Sequence, residues 1–194
     1  VRLDYINKDN SKLSEKFNSL NINLKKGNIY GVYGESGSGK SSLLNILSGF
    51  IKPNKGKIFI NNKNYNFYDL TKKFKIGYAP QIATILDENI IINSTLKFSN
   101  TNKKIEELKK YLQIFNLKKF VNKRYFENKG ISSIKNMSGG EKQRIGFLRA
   151  VINEPNLILL DEPTSSLDKK NEKAIFDFLI SIKKDKIIVV TSHK

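Results

Sequence analysis

Gly34-Glu35-Ser36-Gly37-Ser38-Gly39-Lys40-Ser41 is the stretch on which the reading of this chain turns. The octapeptide matches G-x-x-x-x-G-K-[S/T], and each fixed position has a reason in polyphosphate chemistry. Glycines let the backbone curl until successive N–H groups point inward at phosphate oxygens. Lys40 reaches for the β- and γ-phosphates, the Ser41 hydroxyl is a ligand for Mg²⁺, and Ser42 closes the candidate nucleotide-binding set. An apolar run, Ile29–Tyr33, precedes the loop, and a helix-like run, Ser42–Phe50, follows it. That order is strand, loop, helix, with the phosphate at the helix end where the dipole favours anions. A plain Gly/Ser turn has no need of such flanks.

The rest of the composition sets bounds. A chain of 194 residues, 39% of them hydrophobic, suits one globular domain with room for a subdomain. No apolar stretch approaches the roughly 20 residues of a membrane span, and no signal-peptide pattern opens the chain. With no cysteine there is neither disulfide nor thiolate metal site, which is compatible with the cytosol. The net charge of +17 comes mostly from lysine. Those lysines are scattered in ones and twos through a chain also rich in Asn and Ile, as AT-rich codons would produce. No basic block marks a nucleic-acid interface, so none is expected, and attraction to an anionic membrane surface is at most weak.

In chain order, Val1–Ile6 is a candidate strand, Asn7–Glu15 a polar loop, and Ser19–Leu24 alternates as a half-buried strand would. Pro53–Gly56 reads as a turn and Lys57–Ile60 as a returning strand, while residues 61–75 are weakly patterned. Ile76–Ala79 is a short strand stopped by Pro80. From Glu88 to Asn122 the pattern turns helical, with Ile105, Leu108, Leu112 and Phe115 on one face. Residues 123–135 read as a loop or a short helix. Gly140–Ile152 is helical again, Leu157–Leu160 a buried parallel strand, Lys169–Lys184 an amphipathic helix and Ile187–Val190 a last buried strand. Strands alternating with helices indicate an α/β core with a parallel sheet.

Asp161 and Glu162 end the Leu157–Leu160 strand, at the edge of an α/β sheet where ligands gather. Asp161 is placed to hold Mg²⁺ through water, and Glu162 to polarise an attacking water. The alternative is an acidic turn capping the next segment; downstream of a phosphate loop the catalytic reading is the stronger.

Met137–Gln143, MSGGEKQ, resembles the L-S-G-G-Q signature of the ATP-binding-cassette (ABC) ATPases, and Asn156–Asp168, NLILLDEPTSSLD, resembles their Walker B segment and D-loop. The order of motifs fits: Gln81 follows Lys40 by 41 residues, Asp161 follows Ser138 by 23, and His193 follows Asp161 by 32. Met137 replaces the family's leucine and Glu141 its glutamine, two departures the family tolerates. On its own terms, Ser138-Gly139-Gly140 opens a helix and presents a hydroxyl, free N–H groups and a positive dipole end to an anion. Glu141 adds a favourable charge to its first turn.

The resemblance covers essentially the whole chain. It implies a P-loop NTPase (RecA-like) core with an N-terminal antiparallel β-subdomain and a helical subdomain, residues 1–86 and 138–194 forming the first two and 87–137 the last. It further implies ATP and Mg²⁺ as cofactors and hydrolysis of ATP to ADP and phosphate. Two copies, identical or not, would sandwich two nucleotides, each between one chain's Gly34–Ser41 loop and the other chain's Ser138–Gly140. Gln81 corresponds to the Q-loop glutamine that contacts Mg²⁺ or the attacking water. His193, the only histidine, corresponds to the switch histidine that contacts the γ-phosphate, Asp168 to the D-loop aspartate and Tyr5 to the aromatic residue that stacks on adenine. Transmembrane partners, fused or separate, on the cytoplasmic face of the cell membrane complete the expectation.

The stretch after Gln81, IATILDENIIINSTL, resembles exporters, although Glu127–Gly130 only partly echoes their G-E-x-G element and Asp161–Thr164, DEPT, is shared with importers. An exporter-like transporter is favoured. The rival is a non-transport ATPase of DNA repair or translation. The repair type parts its two nucleotide motifs with a long coiled coil, whereas here 121 residues without sustained heptads separate Lys40 from Asp161. The translation type needs a second cassette. The ends also suggest a piece of a longer protein.

Overall fold

The computed structural model describes residues 20–53, 58–60, 63–65, 72, 74–127 and 134–193. Its centre is a four-stranded parallel sheet built from β1 (Asn28–Tyr33), β4 (Ile76–Ala79), β5 (Leu157–Leu160) and β6 (Ile187–Ser192), in the order β1-β6-β5-β4. A separate antiparallel pair joins β2 (Ile58–Ile60) to β3 (Lys63–Tyr65). The helices are α1 (Lys40–Leu47), α2 (Ile90–Thr95), α3 (Asn102–Ile114), α4 (Lys123–Phe126), α5 (Gly139–Ile152) and α6 (Lys169–Ile182). No helix among the described residues is long and apolar enough to cross a membrane.

Strand alternation assigns the two faces of the sheet. Leu157 and Leu159 of β5 and Val189 of β6 join Leu44 of α1 in one apolar cluster. Ile158, Leu160, Ile188 and Val190 point the other way, into a larger cluster shared with α3, α5 and α6. Successive strand side chains face opposite sides, so a run buried throughout, as β5 is, must be covered twice. The result is an α/β/α sandwich.

The helical stretch between β4 and β5 adds aromatic packing to the second face. Phe115 meets Phe147 edge-on at 4.9 Å and Phe178 at 5.0 Å, joining the end of α3 to α5 and α6. Edge-to-face pairs of this kind contribute about 0.5–1.5 kcal/mol beyond their area burial. Gly77 lets β4 lie directly under α5, because a Cβ there would fall 1.8 Å from the Ala150 carbonyl oxygen.

Helix starts follow local chemistry. Asn89, Thr101, Ser138 and Asp168 cap α2, α3, α5 and α6, each side-chain oxygen accepting a backbone N–H of the first turn. The ends differ from the sequence reading in three places. α1 stops at Leu47, not Phe50: Gly49 takes φ 82°, its N–H and that of Phe50 close back on Ile46 and Asn45, and Phe50 is 71% exposed. Residues 20–24, expected to continue a half-buried strand, form none, with Ile22 41% exposed. β3 lies inside the stretch that read as weakly patterned; it pairs antiparallel with its sequence neighbour β2, Ile60 opposite Lys63. The candidate strand Val1–Ile6, the loop Asn7–Glu15 and residues 54–56 of the expected turn lie outside the described residues, as does Tyr5.

Candidate functional site

Parallel strands bring their carboxyl ends to one edge, and the register shows what collects there. Tyr33 lies beside Ser192, Leu160 beside Val190, and Ala79 beside Leu160. The residues that follow are therefore neighbours: the phosphate loop after β1, Pro80-Gln81 after β4, Asp161-Glu162 after β5 and His193 after β6. β6 runs two residues beyond the stretch its apolar run suggested, and that extension carries His193 up to the loop.

These residues surround a cleft of about 220 Å³ lined by Ser36, Gly37, Gly39, Lys40, Ser41, Ser42, Gln81, Glu162 and His193. The loop curls as its glycines allow: Gly37 and Gly39 sit at φ 80° and 98°, where a side chain is strained, and Gly39 directly precedes α1. Lys40 is only 7% exposed, and its ammonium donates to the carbonyls of Gly34 (2.7 Å) and Glu35 (3.0 Å). Ser38 closes the turn from the other side, its N–H donating to the Glu35 carbonyl at 3.2 Å.

Glu162 is the hub of the cleft. Gln81 Nε2 donates to Glu162 Oε2 at 2.9 Å, and His193 Nε2 stands 2.5 Å from Glu162 Oε1. His193 Nδ1 lies 3.1 Å from Lys40 Nζ. An ammonium can only donate, so Nδ1 accepts, and the ring proton sits on Nε2, facing Glu162. Lys40 itself is 3.9 Å from Glu162 Oε1. The four side chains that read as catalytic thus form one continuous network.

Asp161 is 6% exposed and sits one step behind. Its Oδ1 accepts the Thr191 hydroxyl at 2.7 Å, leaving Oδ2 without a partner among the described residues. The same Thr191 oxygen accepts the Glu162 N–H at 2.9 Å. Among the described residues no three His, Cys, Asp or Glu side chains cluster as a metal cage. Magnesium does not ask for one: a hydroxyl and a carboxylate beside substrate phosphates are its usual complement, and Ser41 and Asp161 are of that type.

Ser138, Gly139, Gly140, Glu141 and Asp168 do not line this cleft. Ser138 and Glu141 form a reciprocal capping box at the start of α5, with Ser138 N donating to Glu141 Oε2 at 2.9 Å and Glu141 N to Ser138 Oγ at 3.3 Å. Lys119 meets the other Glu141 oxygen at 2.5 Å. Burial alone would raise the Glu141 pKa, but the bonds from Lys119 and Ser138 outweigh it and hold the carboxyl below its ordinary range. Gly139 is exposed, with nothing within 4 Å of where a Cβ would stand, so this helix end is open to an approaching group. Asp168 caps α6, and the Asn171 backbone N–H, then its side-chain amide, draw its pKa down.

Two groups of the site carried no signal in the sequence. Thr191 reads only as the residue after a strand, yet it bridges Asp161 and Glu162. Arg149 and Asn93 clasp each other across α5 and α2: Arg149 Nε donates to the Asn93 carbonyl, and NH1 donates to the Thr84 carbonyl at 2.6 Å. Asn93, fully buried, holds the Leu86 backbone with bonds of 2.8 and 3.1 Å. Together they fix the segment that follows Gln81.

A family model described as "ABC transporter" matches residues 17–165. The chain is 35% identical over 178 residues to a probable ABC transporter ATP-binding/permease protein of Haemophilus influenzae, covering 90% of the chain and 32% of that protein's length. It is also 35% identical over 175 residues to the lipoprotein-releasing system ATP-binding protein LolD of Buchnera aphidicola, covering 85% of the chain and 72% of the relative. Among solved structures, the dimeric post-hydrolysis ATP-binding cassette MJ0796 with ADP and Pi superposes with a TM-score of 0.75 at 27% identity, over 100% of this chain and 86% of that one. An ATP-bound bacterial Atm1-family exporter, at 22% identity, shares the fold with a TM-score of 0.81, over 100% of this chain and 33% of that one.

Proposed function

The chain belongs to the ABC transporter family of ATPases, and from that premise we propose that it drives an exporter-like transporter by hydrolysing ATP between two such domains. The observation that carries the catalytic assignment is the grip of Gln81 and His193 on the Glu162 carboxylate at the mouth of the phosphate loop. Residues 34–42 would cradle the triphosphate, with Lys40 on the β- and γ-phosphates. Mg²⁺, held by Ser41, Asp161 and Gln81, would supply further neutralisation of phosphate charge.

Glu162 would orient a water and take its proton as the water oxygen bonds to the γ-phosphorus. The bond from that phosphorus to the β–γ bridging oxygen breaks, leaving ADP and phosphate. His193, donating from Nε2, holds Glu162 in line. Phosphoryl transfer needs little beyond such positioning and charge stabilisation.

Ser138–Glu141 and Asp168, away from this cleft, would complete the site of a second copy. The open Gly139 end of α5 supports that reading, as does the dimeric assembly of MJ0796. We further propose residues 1–86 and 138–194 as the nucleotide-binding part and 87–137 as the part facing membrane subunits, on the cytoplasmic side. Tyr5 remains the proposed adenine contact. The exporter-like assignment draws on the IATILDENIIINSTL stretch and on the ATP-binding/permease relative. Lys40→Ala should abolish phosphate release, and Glu162→Gln should trap ATP in a closed dimer seen by size-exclusion chromatography. Wild-type activity in the first variant, or a strictly monomeric second variant with ATP, would overturn the proposal.

A further inference from the structure

Glu162 holds an unusual backbone. Its φ is 49°, a left-handed conformation that a side chain larger than glycine's adopts only where its surroundings impose it. Two side chains impose it here. Thr191 Oγ1 accepts the Glu162 N–H at 2.9 Å, and Gln143 Nε2 donates to the Glu162 carbonyl at 2.7 Å. Both backbone polar groups of Glu162 are thus held by side chains from other elements, β6 and α5, and the carbonyl also accepts the Ser165 N–H at a longer 3.2 Å.

Gln143 does more than fill a gap. It is 4% exposed, and its amide also donates to Ser165 Oγ at 3.1 Å while its Oε1 accepts the Ser166 N–H at 3.2 Å. One buried amide therefore fastens the start of α5 to the turn after β5. Tertiary neighbours set this contact, since 19 residues of chain separate Gln143 from Glu162.

Resting on the ATPase reading above, we infer that Gln143 is a positioning residue for hydrolysis: it holds the Glu162 backbone in the left-handed conformation that aims the carboxylate into the cleft. Without it the backbone relaxes toward an ordinary φ, and the carboxylate swings from the position that Gln81 and His193 share. Because Gln143 does not line the cleft, ATP binding is preserved when it is lost.

Gln143→Met keeps the length and volume and removes every hydrogen bond; Gln143→Glu keeps the acceptor for Ser166 and removes both donors. In ATPase assays of the full chain, both variants should lower kcat on the order of 10- to 100-fold, the scale of a catalytic group displaced by about 1 Å. KM for ATP should stay within about threefold, as expected when transition-state geometry rather than ground-state binding is lost. The thermal midpoint of at least one variant should remain near the parent's. Parental kcat in both variants overturns the inference, and so does a joint collapse of kcat, ATP affinity and thermal midpoint in both, which marks a merely structural role. A parent chain that turns over no ATP would sink the ATPase reading itself, an outcome distinct from an active parent beside fully active variants.

Discussion

At the scale of single residues, the cleft is ordered by partners that fit each group's hydrogen-bonding chemistry. The three N–H donors of Lys40 find three acceptors in the Gly34 carbonyl, the Glu35 carbonyl and His193 Nδ1. That choice fixes the His193 tautomer, and the tautomer in turn delivers a proton donor to Glu162. Removing His193 breaks the chain at its middle. His193→Ala should reduce the single-turnover rate of phosphate release by about 100-fold or more, the span of a lost proton-handling partner. ATP binding, set mainly by the loop backbone, should change little. A variant hydrolysing at the parent's rate would remove His193 from the mechanism.

Elements supply the rigidity that residues need. α5 carries three features along one helix: Gly139 at its start is open toward solvent, Gln143 ties it to Glu162, and Arg149 anchors the stretch beyond Gln81. Its N-terminus depends on the Ser138–Glu141 capping box and on Lys119. The folded Glu141 pKa lies below its ordinary 4.5, so the unfolded chain takes up the proton first as pH falls. The contribution is therefore complete above about pH 4.5 and fades as pH drops through the lower folded value. Glu141→Gln keeps the capping box and loses the Lys119 ion pair, whose lysine is 56% exposed. Stability at neutral pH should fall by no more than ~1 kcal/mol, because solvent screens such a pair. The acid limb of the denaturation profile should become flatter; an unchanged profile would show that Glu141 plays no part in it.

For the molecule as a whole, the decisive feature is that the helical stretch shares its core with the sheet. Phe115, Phe147 and Phe178 come from three parts of the chain and meet in one cluster that joins the end of α3 to α5 and α6. Phe115, 1% exposed, is the member that touches both others closely. Phe115→Ala should destabilise the fold by about 3–5 kcal/mol, the cost of lost burial plus a cavity. Urea denaturation followed by two probes, one in α3 and one in β5, should show both transitions shift together. Separate transitions would mean that the helical stretch is an independent unit. The charge of +17 has no such organising role, its lysines being scattered in ones and twos along the sequence.

The chain's own order of residues determined most of the sheet and most of the nucleotide edge. β4 and β5 fall where short apolar runs are bounded by breakers, because a strand buried on both faces must be apolar throughout. Gly34–Ser41 was legible as a phosphate-loop motif and His193 through the family resemblance, while Asp161 and Glu162 follow from the rule that ligands gather where parallel strands end, which needs no coordinates. Tertiary structure decided what has no local cause. The last two residues of β6 exist through their register with Val32 and Tyr33. The left-handed Glu162 and its clamps, Gln143 and Thr191, are likewise products of packing. A hydrogen bond between residues about 20 or 30 apart leaves no period or spacing in a sequence; only the fold brings its two halves within reach.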